Sequence, residues 1–174
     1  MDLTALFKLG YGLYIVTSRQ GDRLNGQIAN TVFQITSEPP TIAVSINKQN
    51  LTWEFIKESG IFAVSVLSQE TPLSFIGRFG FKSGREVNKL EGVAYRIGET
   101  KAPLITENAT AVFEATLVNE MDLGTHMLFV GKVVNAEVLS NNACMTYEYY
   151  HQVKRGTTPK SAPSYIEKKK TNSG

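Results

Sequence analysis

The sequence predicts a mainly β protein, its strands rolled into a closed or nearly closed antiparallel barrel with about three short helices. Three observations carry that prediction. Short runs of branched, aromatic and aliphatic residues recur along the chain, separated by turn residues at regular spacing. Helical signals are few and brief. No alternation of strand and helix is present, which argues against a doubly wound nucleotide fold.

In chain order, residues 3–9 read as a first short helix, and Leu13-Tyr14-Ile15-Val16-Thr17 as a strand that runs into a polar turn at 18–23. Asn25-Gly26 is a turn dipeptide. Residues 31–36 and 41–46 are strands, joined rigidly by Ser37-Glu38-Pro39-Pro40, since two prolines cannot donate to a ladder. Asn50 is a candidate cap for a helix through Trp53, Phe55 and Ile56, with Gly60 placed to end it. Residues 61–67 form another strand. Thr71-Pro72 resembles a cap followed by proline in the first turn, with Leu73, Phe75, Ile76 and Phe79 as the buried stripe. Residues 111–118 and 127–138 are long strands joined through a hairpin link at 119–124.

Length and composition suit one soluble domain: 174 residues, 42% hydrophobic and 20% charged. A net charge of +2 with no basic stripe gives no reason to expect nucleic acid. The single cysteine, Cys144, excludes an internal disulfide framework and a cysteine-based metal site. No signal peptide opens the chain and no apolar run approaches the ~20 residues that span a bilayer, so no membrane partner and a cytoplasmic location are expected. Glycine-rich phosphate loops and a Gly-x-Ser-x-Gly elbow are missing, and His126 and His151 are the only histidines. From residue 157 the chain turns proline-rich and extended, then basic, so that 166–174 reads as a disordered tail.

Three segments suit a ligand. In residues 24–31, small and amide side chains stand just before an apolar strand; the stretch is either a hairpin turn or a backbone left open to a planar heterocycle. In residues 44–52, a strand ends in polar residues ahead of a helix start, where Lys48 and backbone donors favour an anion, or where Asn50 merely caps. In residues 79–89, Ser83, Gly84, Arg85 and Lys89 combine a hydroxyl, a flexible backbone and two cations, as a phosphate monoester requires; a solvated loop is the alternative. His126, at the start of a strong strand, could hydrogen-bond a cofactor ring or a nicotinamide. Tyr147, Tyr149, Tyr150 and His151 could roof a planar group or simply pack.

Together these residues resemble the flavin reductase-like family, which has an FMN-binding split β-barrel with antiparallel, Greek-key strands. The resemblance rests on Tyr11-Gly12-Leu13-Tyr14-Ile15-Val16-Thr17-Ser18, Asn25-Gly26-Gln27-Ile28-Ala29-Asn30, Ser37-Glu38-Pro39-Pro40, Ser45-Ile46-Asn47-Lys48, residues 58–67, residues 80–85 with Lys89, Gly124-Thr125-His126, Tyr150-His151 and residues 159–165. It covers residues 1–165 and is fullest with the flavoprotein part of high-molecular-weight rubredoxins. Those carry a rubredoxin module with four cysteines after such a domain. No cysteine follows Tyr165, so the chain is expected to be an isolated domain or to work with a separate rubredoxin.

The resemblance implies a homodimer with FMN at the interface. Gln27, Ala29, Asn30 and Thr31 would face the isoalloxazine, and Ser45, Asn47, Lys48, Asn50 and Thr52 would hold ring edge, ribityl chain or phosphate. Ser83, Gly84, Arg85 and Lys89 would grip the phosphate, and His126 and Tyr150 would lie near the open face of the ring. It also implies hydride transfer from NAD(P)H and electron delivery to free flavin, rubredoxin, a flavodiiron protein or ferric iron. Other readings are a fixed FMN carrier, a flavin-binding module without turnover, and an oxidase of the pyridoxamine-phosphate type.

Overall fold

The computed structural model describes residues 1–166, so the basic tail expected at 166–174 lies almost wholly outside the described residues. Seven strands form one antiparallel sheet: β1 (Tyr14–Gln20), β2 (Arg23–Ala29), β3 (Val32–Ser37), β4 (Pro40–Asn47), β5 (Ile61–Leu67), β8 (Ala109–Asp122) and β9 (His126–Val138). A separate two-stranded ribbon pairs β6 (Tyr95–Ile97) with β7 (Pro103–Ile105). The large sheet runs in the order β2-β1-β5-β8-β9-β4-β3.

That order fixes the shape. β2 and β3 are the two edges of the ladder, yet only Asn30 and Thr31 separate them in the chain. The three Cα–Cα steps from Ala29 to Val32 span at most ~11 Å, so the sheet has to curl until its edges meet. Side chains from six strands accordingly share one core: Val16, Ala29, Ile42, Val44, Ile46, Phe62, Val64, Ala115, Met127 and Phe129 pack together with Ile56. The seam between β2 and β3 carries no ladder; the Ser45 N–H bond to Thr31 O at 3.1 Å continues the β3–β4 pairing up to it.

Helix α1 (Leu51–Ser59) follows β4 and buries Leu51, Phe55 and Ile56; it stops where Gly60 turns left-handed at φ 67°. Asn50 occupies its cap position without a side-chain cap bond. Helix α2 (Leu73–Gly80) buries Phe75, Ile76 and Phe79. These pack with Leu13, Leu67, Leu90, Val93, Ile105, Met145 and Tyr150 into a second core outside the barrel. The first expected helix is a 3-10 turn at Leu3–Lys8, with every side chain exposed.

Several local expectations need correction. Asn25-Gly26 is no turn: it lies inside β2, facing Ser18 and Thr17. The hairpin turns at Gly21, whose φ of +57° suits glycine, so β1 extends through Gln20. Gly26 is needed for space instead, since a Cβ there would stand 2.9 Å from Thr17 Cγ2. Likewise β8 runs to Asp122, and the turn to β9 is made at Gly124, φ +82°. Pro72 rather than Thr71 is the cap of α2, because the Thr71 hydroxyl donates to Ser68 O at 2.7 Å. Leu73 leaves the buried stripe and is 46% exposed. Helix α3 (Tyr147–Gln152), capped by Thr146, was not expected.

Candidate functional site

The unladdered seam opens into a cavity of about 420 Å³. Its walls come from the end of β2 (Gln27, Ala29, Asn30), the end of β4 (Ser45, Asn47), the start of α1 (Asn50, Thr52), the loop after α2 (Ser83, Gly84, Lys89) and Tyr150 of α3. The fold thus brings together eleven of the sequence-predicted site residues from five places in the chain. Segment 157–163 covers another side.

Lys89 is the most constrained of these residues. It is 5% exposed, and its ammonium donates to Gly26 O at 3.0 Å and to Phe79 O at 3.1 Å. A lysine has three N–H donors, so one is left over. Burial alone pushes its pKa down to about 8, and among the described residues no carboxylate pairs with it. Gln27 is unfinished in the opposite sense: its Oε1 is buried and accepts nothing, while Nε2 makes only a 3.4 Å contact with Ile28 O. Asn25, read from sequence as half of a turn dipeptide and not as a site residue, donates from Nδ2 to Thr52 Oγ1 at 2.9 Å inside the same wall. A Cβ on Gly84 would stand 2.0 Å from Asn25 Oδ1, so the loop closes on that wall only without a side chain.

Four predicted residues stand apart from the cavity. Thr31 turns its hydroxyl to Asn30 Oδ1 at 3.1 Å. Lys48 reaches both carboxylate oxygens of Asp122 at 2.9 Å. Arg85 pairs with Glu54, which holds the carboxyl below its usual range, and it lines a neighbouring cleft with Arg23, Phe55 and Tyr95. His126 touches the cavity only through its cover: Nε2 lies 3.1 Å from Ser161 O, and Nδ1 lies 2.9 Å from Thr125 Oγ1. A carbonyl only accepts, so Nε2 carries the proton and Nδ1 accepts from the Thr125 hydroxyl. Partial burial lowers the His126 pKa, which keeps the ring neutral.

Residues 6–158 match the family model of the flavin reductase like domain. The chain belongs to the flavin reductase-like family. It is 58% identical over 174 residues to a high molecular weight rubredoxin of Moorella thermoacetica, covering 98% of this chain and 76% of that protein. It is 55% identical over 169 residues to a ferric-chelate reductase (NAD(P)H) of Archaeoglobus fulgidus, covering 97% and 100%. Among solved structures, the NADH:FAD oxidoreductase SgcE6 of Streptomyces globisporus C-1027 superposes with a TM-score of 0.75 at 25% identity, over 83% of this chain and 85% of that one. Flavoredoxin from Methanosarcina acetivorans gives 0.69 at 25% identity, over 74% and 69%. Membership in the flavin reductase-like family makes the protein a flavin-using oxidoreductase. The residues of the seam cavity fit such a ligand: an orphan acceptor at Gln27, an unpaired ammonium at Lys89 and a glycine cradle at Gly84 ask for a heterocyclic N–H at one end and an anion at the other. No helix among the described residues is long and apolar enough to cross a membrane.

Proposed function

We propose that the chain is an FMN-dependent oxidoreductase that takes hydride from NAD(P)H and passes electrons to an acceptor, working as a cytoplasmic homodimer. The observation that carries this reading is the buried Lys89 ammonium, which faces the cavity with a free donor and no carboxylate. An ammonium in that setting calls for a permanent anion, and a phosphate monoester supplies one. Ser83 and the backbone around Gly84 add donors beside it, and the start of α1 at Leu51 and Thr52 directs its positive end to the same region. At the other end Gln27 Oε1 accepts a ring N–H, and Ala29 leaves room for a flat ring against β2.

Bound FMN supplies the redox chemistry, accepting hydride from a nicotinamide and releasing electrons onward. The chain's own part is to grip the phosphate, orient the ring and exclude water, with neutral His126 donating from Nε2 on the open side. No side-chain acid or base is required, in accord with the lack of a catalytic dyad. The relatives named high molecular weight rubredoxin, ferric-chelate reductase (NAD(P)H) and putative diflavin flavoprotein A 3 support a rubredoxin, ferric iron or a flavodiiron protein as acceptor, beside free flavin. Exposed Leu6 and Phe7 in the 3-10 turn, and Phe33 and Ile35 on the edge strand β3, support a dimer; sedimentation equilibrium tests it.

The deciding test is a visible spectrum of the purified protein before and after anaerobic NADH. A flavin band that bleaches supports the reading. A band that persists makes the protein a carrier served by another reductase. Absence of a band after FMN is added back overturns the function and leaves the fold. A fixed FMN carrier is the second reading, favoured by the covering segment 157–163, which would retain the cofactor; rates independent of added FMN would support it.

A further inference from the structure

We propose that segment 157–165 is a lid on the donor side of the cavity, pinned shut by Asn30, Asn47 and His126, and that it must lift before a nicotinamide reaches the flavin. The proposal rests on the FMN reading above. Three side chains from the barrel rim converge on the segment. Asn30 Nδ2 donates to Ser164 Oγ at 2.6 Å, Asn47 Nδ2 to Ser161 O at 3.3 Å, and His126 Nε2 to Ser161 O at 3.1 Å. From the helical side, the Tyr150 hydroxyl donates to Thr157 O at 2.9 Å, and Ser164 Oγ donates to the Tyr147 hydroxyl at 3.3 Å.

The segment holds its own shape. Its backbone bonds are internal turns, Ala162 N–H to Pro159 O and Tyr165 N–H to Ala162 O, each 3.0 Å, and it adds no strand to either sheet. It can therefore move as a unit by breaking side-chain bonds alone, the usual construction of a lid. The fixed end is equally well marked. Gly156 N–H donates to Tyr150 O at 2.9 Å, and a Cβ on Gly156 would stand 2.1 Å from the Tyr150 ring, so the chain up to Gly156 is clamped on α3 and the moving part starts beyond it.

The pins are also informative. Asn30 and Asn47 stand on the β2 and β4 walls of the cavity, and both spend amide donors on the segment instead of pointing them at a ligand. The imidazole expected on the open side of the ring is likewise occupied by Ser161. A nicotinamide arriving on that side and the closed segment compete for the same donors. The closed fraction then lowers the apparent affinity for nicotinamide in proportion to its population.

A disulfide lock tests this. In the full chain with Cys144→Ser, Asn30→Cys and Ser164→Cys put two thiols at the positions whose side chains are hydrogen-bonded in the closed form. Thiol titration establishes the oxidised state. With FMN bound, the oxidised form is expected to be reduced by NADH at least about tenfold more slowly than the same protein after phosphine treatment, while dithionite reduces both alike. Equal NADH rates in the two forms overturn the lid. Failure of the wild-type flavin to bleach with NADH overturns the function reading instead, and the two failures are distinguishable. As a second variant, Ser164→Ala removes the Asn30 and Tyr147 contacts and is expected to lower the apparent KM for NADH by about fivefold. An unchanged or raised KM also overturns the proposal.

Discussion

Among the described residues two charged side chains are sunk into the fold, Glu114 at 1% exposed and Lys89 at 5%, and the protein treats them in opposite ways. Glu114 is finished by the chain itself. Thr100 N–H at 2.9 Å, Thr100 Oγ1 at 2.7 Å, Glu99 N–H at 3.1 Å and Asn135 Nδ2 at 3.1 Å all donate to its carboxylate. Burial pushes its pKa up, but those hydrogen bonds outweigh it and hold the carboxyl below its usual value. Lys89 has two carbonyl acceptors, a free donor and no counter-charge, and burial drives its pKa to about 8. A buried charge therefore does not by itself mark a site. A buried charge left incomplete, and facing a cavity, does.

The comparison is sharpest in a pair of substitutions. Glu114→Ala strands the donors of Thr100, Glu99 and Asn135 and should destabilise the apo protein by about 3 kcal/mol in urea unfolding, with flavin affinity unchanged. A loss below ~1 kcal/mol would show that the carboxylate network is not structural. Because the folded pKa is depressed, Glu114's contribution is present above the ordinary carboxylate pKa and fades as pH falls through the folded value. Lys89→Met should act the other way round: flavin binding weakens by about ten- to a hundredfold, the scale of a charged hydrogen bond at ~1.5–3 kcal/mol, while the apo fold is not weakened.

The pH signature follows from the same imbalance. The folded state of apo protein binds the Lys89 proton less tightly than the unfolded chain, whose lysine keeps the usual 10.5. Stability should then rise from pH 8 to pH 10.5, by about 3 kcal/mol in all, and Lys89→Met should abolish the rise. Bound FMN should flatten it as well, since phosphate favours the charged form. A wild-type curve that is flat without ligand would mean that the ammonium is solvated after all.

Sequence reasoning reached the parts of the molecule that local chemistry decides. The strand at 61–67 and the stop of α1 at Gly60 are where the branched run and the glycine place them. Asn25-Gly26 misled because the dipeptide has two uses. Here Gly21 makes the turn, and Gly26 supplies closeness between strands while Asn25 faces Thr52. Helix α3 was hidden because Tyr147, Tyr149 and Tyr150 have strong strand propensity, and its helical state is set by the Thr146 cap and by Tyr150 packing under the second core. Lys89 was legible as a phosphate candidate, but its burial was not, since one of the carbonyls that hold it comes from Gly26, far away in the chain, and the other from Phe79 at the opposite end of its own segment. Glu114 gave no signal at all: one acidic residue in a long strand reads as solvent-facing until the loop 98–102 is seen to wrap it.

Two milder substitutions test whether the unfinished region is as narrow as Lys89 suggests. Gly84→Ala drives a methyl into Asn25 Oδ1 and to 3.1 Å from Leu51 Cδ2, so the Asn25 amide has to leave Thr52 and intrude on the cavity. Flavin affinity should fall by about fivefold, near 1 kcal/mol, with little change in unfolding. The smallest effect belongs to Arg85→Ala. Its guanidinium is already partnered by Glu54 on an exposed surface and lines the neighbouring cleft, and a pair of that kind contributes ~0–1 kcal/mol. A fluorescence titration should show flavin affinity within about threefold of wild type. Should Arg85→Ala match Lys89→Met instead, the loop carrying Ser83, Gly84 and Arg85 must swing on binding and trade Glu54 for the phosphate. The incomplete charge would then be shared between a buried lysine fixed in advance and an arginine recruited by the ligand.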